Sequence, residues 1–217
     1  MPGLPDVPVI VGSTAQELDF GPTPGKELLK WSDADLFEYV YEKLAPFNET
    51  FPNISLAMYP VTVKTDFPAE YVFTTMGSDI RVNCGTDILT KKMASALTNN
   101  VYRYVVTSFP SKPVNPLGFD FPAKFAFHAW DTYAFFNGFH HVMDSSKSDE
   151  MFRDVLRENI MSFVRTGQPA DSRWTPVREG QLTTALISDK LVVNASYHKA
   201  QCDFWTRNGF FSYSWIN

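Results

Sequence analysis

Long apolar runs are missing from this sequence. No stretch approaches the roughly 18 consecutive apolar residues that a membrane-spanning helix needs, so no span is expected. Basic runs are missing too. Lys and Arg number 19 against 24 Asp and Glu, and the net charge is −5. Nucleic-acid binders gather Lys and Arg on one face, and nothing here does, so no nucleic-acid partner is expected. Metal-ligand patterns are also lacking. There is no HxxxH and no CxxC among four histidines and two cysteines, and no metal or cofactor is expected. His140 and His141 are adjacent, without a third ligand at suitable spacing, and read as surface residues. His198 precedes Lys199 and reads as exposed. The N-terminus has no basic leader region, and its apolar run, Val7 to Val11, is broken by Pro8. It does not read as a secretory signal. It reads as a buried strand, and a strand beginning at residue 7 suggests a chain that starts inside a larger fold.

What is present is apolar and aromatic. Hydrophobic residues make up 44% and aromatic residues 15%, and Phe alone occurs 19 times. A chain of 217 residues with that content can bury a sizeable core as one domain. The two cysteines, Cys84 and Cys202, would on count alone read as free buried thiols. Three glycosylation sequons shift that balance: Asn48-Glu-Thr, Asn53-Ile-Ser and Asn194-Ala-Ser. Together they point to an extracellular or ER-lumen protein, where a Cys84–Cys202 bridge is favoured. It would close 118 residues of chain, worth about 4–5 kcal/mol in the chain-entropy picture.

Hydrophobic spacing predicts the elements. Val7 to Gly12 reads as a strand closed by Gly12 and Ser13. Ser32 can cap a helix over Asp33 to Leu44, with Leu36, Phe37, Val40, Tyr41 and Leu44 in phase and Pro46 as the stop. Residues 46–55 read as a polar loop. Thr86 to Leu97 is a helix candidate, and Val101 to Phe109, VYRYVVTSF, is the clearest strand. Met151 to Thr166 is the clearest helix, capped by Gly167. Leu182 to Val193 has short strand character, and a last helix over Tyr197 to Thr206 carries Cys202. Strands alternating with helices indicate an α/β sheet.

One histidine stands apart. His128 lies in FAFHAWDTYAFF, among six aromatic rings, with Asp131 three places on. It follows a late strand, where a sheet's carboxyl edge would place it. An imidazole serves best as a base when a carboxylate holds its other nitrogen. Glu17, five residues past Gly12, lies just beyond the first strand and is the candidate partner. Read blandly, Glu17 is a solvated loop acid, His128 a satisfied core histidine, and the surrounding rings plain core packing.

At this point the motifs resemble the C-terminal portion of the type B carboxylesterases, the family that includes the cholinesterases. VPVIVGSTAQELDF resembles that family's strand and Gly-x-x-x-x-Glu turn, whose glutamate is the triad acid; here that is Glu17. SDIRVNCGTDILTKKMA resembles its cysteine before a helix, and VYRYVVTSFP the strand that follows. FHAWDTYAFFNG resembles the histidine turn, which makes His128 the triad base. FRDVLRENIMSFVRTGQPADSRWTPV resembles the helix ending in a Thr-Gly-x-Pro turn, and QCDFW the terminal helix whose cysteine pairs with the earlier one. The resemblance implies a partial α/β-hydrolase fold, one domain over residues 1–217, and a small-molecule ester substrate for the intact protein. Acid and base stand 111 residues apart, as the family shows.

In that fold the serine precedes the acid on a G-x-S-x-G elbow. No G-x-S-x-G occurs anywhere in the chain, and the glycine-rich oxyanion loop is missing as well. The expectation is therefore a fragment that contributes the acid and the histidine and is inactive alone. The alternative is a non-catalytic adhesion or binding protein of the same fold. Departures inside the matched region bear on the choice. Ala129 follows His128 where the family favours Gly, Leu18 follows Glu17 where Gly is common, Asp131 replaces a Glu, and Trp174 and Pro176 are separated by Thr175.

Overall fold

A computed structural model describes residues 6–19, 28–116, 121–178, 180–195 and 197–210. Its frame is a four-stranded sheet in the order β1 (Val9–Thr14), β2 (Val101–Val106), β3 (Thr184–Ile187), β4 (Leu191–Asn194). The first three strands run parallel, and β4 returns antiparallel. Val9 pairs with Val101 and Thr14 with Val106. Among the described residues no strand pairs with the outer edge of β1.

β1 starts and ends two residues later than its sequence suggests. Pro8 has no N–H for a ladder, and Gly12 proves to be a strand residue rather than a stop. The Tyr104 ring lies across it from β2. A Cβ on Gly12 would meet Tyr104 Cζ at 2.0 Å. The strand shift leaves Thr14 as the last β1 residue and Glu17 in the turn that follows.

β2 is the buried spine, with Val101, Tyr102, Arg103, Val105 and Val106 each at most 3% exposed. Side chains alternate across a strand. Tyr102 and Tyr104 meet Trp174, and Tyr102 also meets Phe163 of helix α6 (Lys147–Thr166). Arg103 points the other way. It donates from Nε to Asp87 Oδ1 at 2.9 Å on helix α4 (Cys84–Ala96). The sheet thus carries α6 on one face and α4 on the other. The α6 side also holds the short helix α5 (Trp130–Phe135), whose Trp130 stacks on Phe139 and Phe152. A second apolar core joins α1 (Asp33–Leu44), α3 (Pro68–Ser78) and α7 (Lys199–Arg207), through Leu36, Val40, Val72, Met76 and Trp205.

α1 begins as expected at a capping box formed by Ser32 and Asp35. α6 begins four residues earlier than its apolar stripe, because Ser146 and Asp149 form a second capping box. It ends at Gly167, whose φ of 76° is the left-handed cap. Residues 46–55 are not all loop: α2 (Phe51–Met58) starts at Phe51 with Pro52 in its first turn. The sequence reading also missed α3, which has Pro68 at its start. Between α3 and α4 the helix widens into a π-helical turn, Asp79–Asn83, which sets both of its polar ends inward. Such turns recur at functional sites.

The predicted Cys84–Cys202 bridge is formed. It ties the start of α4 to the middle of α7. No helix among the described residues is long and apolar enough to cross a membrane.

Candidate active site

Two segments that are far apart in sequence meet at the carboxyl end of the parallel strands. One is the acid turn, residues 14–19, just after β1. The other is the histidine loop, residues 124–128, leading into α5. Between them Glu17 Oε2 and His128 Nδ1 lie 2.6 Å apart.

Glu17 is held by its own segment. The backbone N–H of Thr14 donates to Glu17 Oε1 at 2.6 Å, so the other oxygen faces the ring. Glu17 is buried, and the His128 side chain is 58% exposed. A carboxylate only accepts hydrogen bonds, so Nδ1 carries the hydrogen and the neutral ring has its lone pair on Nε2. The hydrogen bond to Glu17 raises the His128 pKa above its ordinary value, against a smaller lowering from burial.

The two segments are stitched together on either side of this pair. Gln16 N donates to Ala126 O at 3.0 Å, and Gln16 Oε1 accepts from Ala126 N at 3.1 Å. Asp19 Oδ2 accepts from Lys124 N at 2.7 Å and from Phe125 N at 2.6 Å. Gln16 Nε2 also reaches Thr75 Oγ1 on α3 at 3.0 Å. Gln16 and Asp19 are functional neighbours that sequence reasoning missed. Their only signal was proximity to Glu17, which says nothing about direction.

The residue after the base carries strain. Ala129, which stands where the resemblance leads one to expect Gly, has φ 67° and ψ 9°, in the left-handed region where a Cβ is crowded. Asp131 accepts from Tyr104 OH at 2.8 Å, and its charge adds to the raising of the His128 pKa. Burial, with Asp131 beside it, drives the Tyr104 pKa well up. Leu18, where the resemblance leads one to expect Gly, fits because Gly77 on α3 leaves room. A Cβ on Gly77 would meet Leu18 Cδ1 at 2.5 Å.

Three of the rings around His128 are core, while Phe135 is half-buried and lines an open cavity beside Tyr104 and Asp131. Phe125, Phe127 and Trp130 are at most 2% exposed, and Tyr133 and Phe135 pack against the same cluster. His140 and His141 are exposed at a 3-10 turn, as expected. His198 is not exposed as expected. It caps α7, stacks on Tyr197, and places Nδ1 2.6 Å from Asp79 Oδ2 in the π-helical turn. A neighbouring lysine in sequence gave no hint of that long-range partner. Asn48 and Asn53 are exposed, the latter on α2, and Asn194 ends β4 half-buried. Asn48 Oδ1 accepts from Thr50 N at 2.9 Å. Among the described residues no group of three His, Cys, Asp or Glu side chains could hold a metal ion.

A largely parallel sheet with helices on both faces, and with connections this long between strands, is part of an α/β-hydrolase fold. The chain belongs to the carboxylesterase family: residues 2–205 match the family model described as "Carboxylesterase family". Among curated proteins none matches significantly. Among solved structures, one similar in fold is an esterase from anaerobic Clostridium hathewayi that can hydrolyse aliphatic aromatic polyesters. The TM-score is 0.55 and the identity 17%, over 93% of this chain. The chain spans 38% of the length of that esterase.

Proposed function

We propose that this chain is the acid- and base-bearing portion of a serine carboxylic-ester hydrolase. The single observation that carries the reading is the 2.6 Å contact between Glu17 and His128, two residues 111 positions apart. In this reading His128 Nε2 takes the proton from a serine hydroxyl as it attacks the ester carbonyl. The same nitrogen then returns the proton to the departing alcohol. Glu17 fixes the tautomer and stabilises the imidazolium. The serine and its oxyanion donors belong to a separate stretch of polypeptide, because no G-x-S-x-G lies in these 217 residues. The substrate class is a small-molecule carboxylic ester. The sequons at Asn48, Asn53 and Asn194, with the disulfide, favour a secreted or ER-lumen protein.

The test has two arms. The purified chain, treated with a fluorophosphonate probe, should take up no label; labelled protein would contradict inactivity alone. The second arm expresses the coding sequence upstream of Met1 together with this chain. An in-frame elbow serine should then be labelled, and His128→Ala should reduce ester turnover by about a thousandfold or more, the usual scale for losing a triad member. Unchanged turnover in His128→Ala would overturn the assignment. An elbow whose serine is replaced would favour a binding protein instead.

A further inference from the structure

The grip on the histidine loop includes a buried group that the esterase reading does not use. Asp19 has no solvent exposure. Its Oδ2 accepts the two successive amides of Lys124 and Phe125, the residues that open the histidine loop. No N–H or hydroxyl among the described residues reaches its Oδ1. What stands beside Asp19 is the Glu70 carboxyl, in hydrogen-bond contact with it. Glu70 is 1% exposed, in the first turn of α3, and both its oxygens accept from Lys124 Nζ, at 2.7 and 2.9 Å. Lys124 Nζ also donates to Pro122 O and lies over the Phe67 and Phe121 rings.

Charge counting gives the protonation state. Among the described residues, the ionisable side chain in contact with Asp19 is Glu70, from α3, and Lys124, from the loop itself, pairs with Glu70. Two ionised carboxylates against one ammonium would leave a net negative charge in the interior, which desolvation strongly disfavours. Two carboxyls in contact can instead share one proton, and the buried cluster is then neutral.

We propose that Asp19 is a positioning residue for the base. Its carboxyl, joined to Glu70 through one shared proton, fixes the 124–128 loop against the acid turn and so holds His128 within reach of Glu17. This rests on reading Glu17 and His128 as the acid and base, and it adds what keeps them in register. The Asp19 pKa is accordingly raised to about 8, by burial first and by Glu70 second. The folded pKa lies above the unfolded one, so the proton is held at neutral pH. The contribution to stability is complete at acid pH and is lost as pH rises through about 8.

The experiment uses the whole chain and NMR, with no activity readout, so it stands or falls independently of esterase reconstitution. In the wild type, the Asp19 carboxyl carbon should titrate near pH 8 rather than near 4; an ordinary acid midpoint overturns the shared proton. Asp19→Asn mimics the protonated side chain and should keep the raised His128 titration. Asp19→Ala, confirmed folded by circular dichroism, should drop the His128 midpoint toward its ordinary value of about 6.5. A merely structural role would lower stability without moving that midpoint. If Asp19→Ala leaves the midpoint in place, or if Asp19→Asn behaves like Asp19→Ala, the proposal is wrong. Should Asp19→Ala fail to fold, Glu70→Gln decides. It removes the proton-sharing partner and should lower the Asp19 midpoint by at least one pH unit, and an unmoved midpoint counts against the pairing.

Discussion

Replacing Ala129 by Gly should make this protein more stable, although the change deletes a methyl group beside the candidate base. Ala129 sits at φ 67°, ψ 9°. An L-residue held in that region costs roughly 1–2 kcal/mol, because Cβ crowds the following carbonyl. Glycine removes the crowding. It also gives the unfolded chain more freedom, which offsets about 0.4–1 kcal/mol of the gain. Ala129 is only half-buried, so losing its methyl costs at most a few tenths of the roughly 0.8 kcal/mol assigned to a buried methylene. The balance is a stabilisation of about 0.5 kcal/mol, or about 1–2 °C in Tm for a domain of this size. Urea unfolding, followed by circular dichroism with m held as a check, measures it. The partner experiment is Ala129→Val, whose branched Cβ fits the left-handed region worse and should destabilise by more than about 1 kcal/mol. His128 should titrate as before in Ala129→Gly, since its hydrogen bond to Glu17 does not involve that methyl. A less stable glycine variant, or a neutral valine variant, would refute the reasoning.

Three other outcomes are expected. Replacing Cys84 and Cys202 by Ser should lower stability by about 4–5 kcal/mol, because the bridge closes a 118-residue loop. Thermal midpoints of oxidised and mutant protein that agree within a degree would remove the bridge from the account. Gly12→Ala forces the Tyr104 ring aside, since the new Cβ would lie 2.0 Å from Cζ, and breaks the Tyr104–Asp131 hydrogen bond. A loss of about 1–3 kcal/mol is expected from overpacking, and an unmoved unfolding midpoint would contradict it. At His198, burial lowers the pKa, but the charge and hydrogen bond of Asp79 outweigh it, and the net shift is upward. The His198–Asp79 contact therefore stabilises most below about pH 6.5 and weakens as pH rises through the folded pKa. His198→Gln should flatten that pH dependence, and curves of the same slope would exclude His198 as its source.

The buried polar chain behind the site explains why its placement is firm. Asn83, at the end of the π-helical turn, donates to Thr14 O and accepts from Ser13 Oγ at 2.5 Å. Asp79, at the turn's start, holds His198, Tyr59 and Asn83. Arg103 closes the chain from β2, donating to Ser13 Oγ and Asp87. Burial pushes the Asp87 pKa up, and Arg103 opposes that push. The end of β1, from which Glu17 hangs, is thus anchored from two elements, the π-helical turn and β2. Unpaired polar groups at such depth would each cost on the order of 1–3 kcal/mol, and pairing removes that cost.

The sequence by itself determined what local periodicity and punctuation can encode. Helix α1 from Ser32, the Gly167 cap, the β2 strand and strand character between Leu182 and Val193 are legible because 3.6- and 2-residue spacing and capping chemistry act over a few positions; that this stretch splits into two antiparallel strands was not. Glu17, His128 and the cysteine pair were legible as motifs in order along the chain. The α2 and α3 helices were missed because their proline starts sit among polar residues, and the early start of α6 because capping outreached its apolar stripe. Only the tertiary structure decided which side chains face each other. Asp131 turned to Tyr104, His198 turned inward to Asp79, and Asp19 took the amides of a loop more than a hundred residues away. These choices depend on strand register and helix placement across the whole domain. A hydrogen bond is won or lost over about half an ångström, a distance that spacing along the chain does not carry.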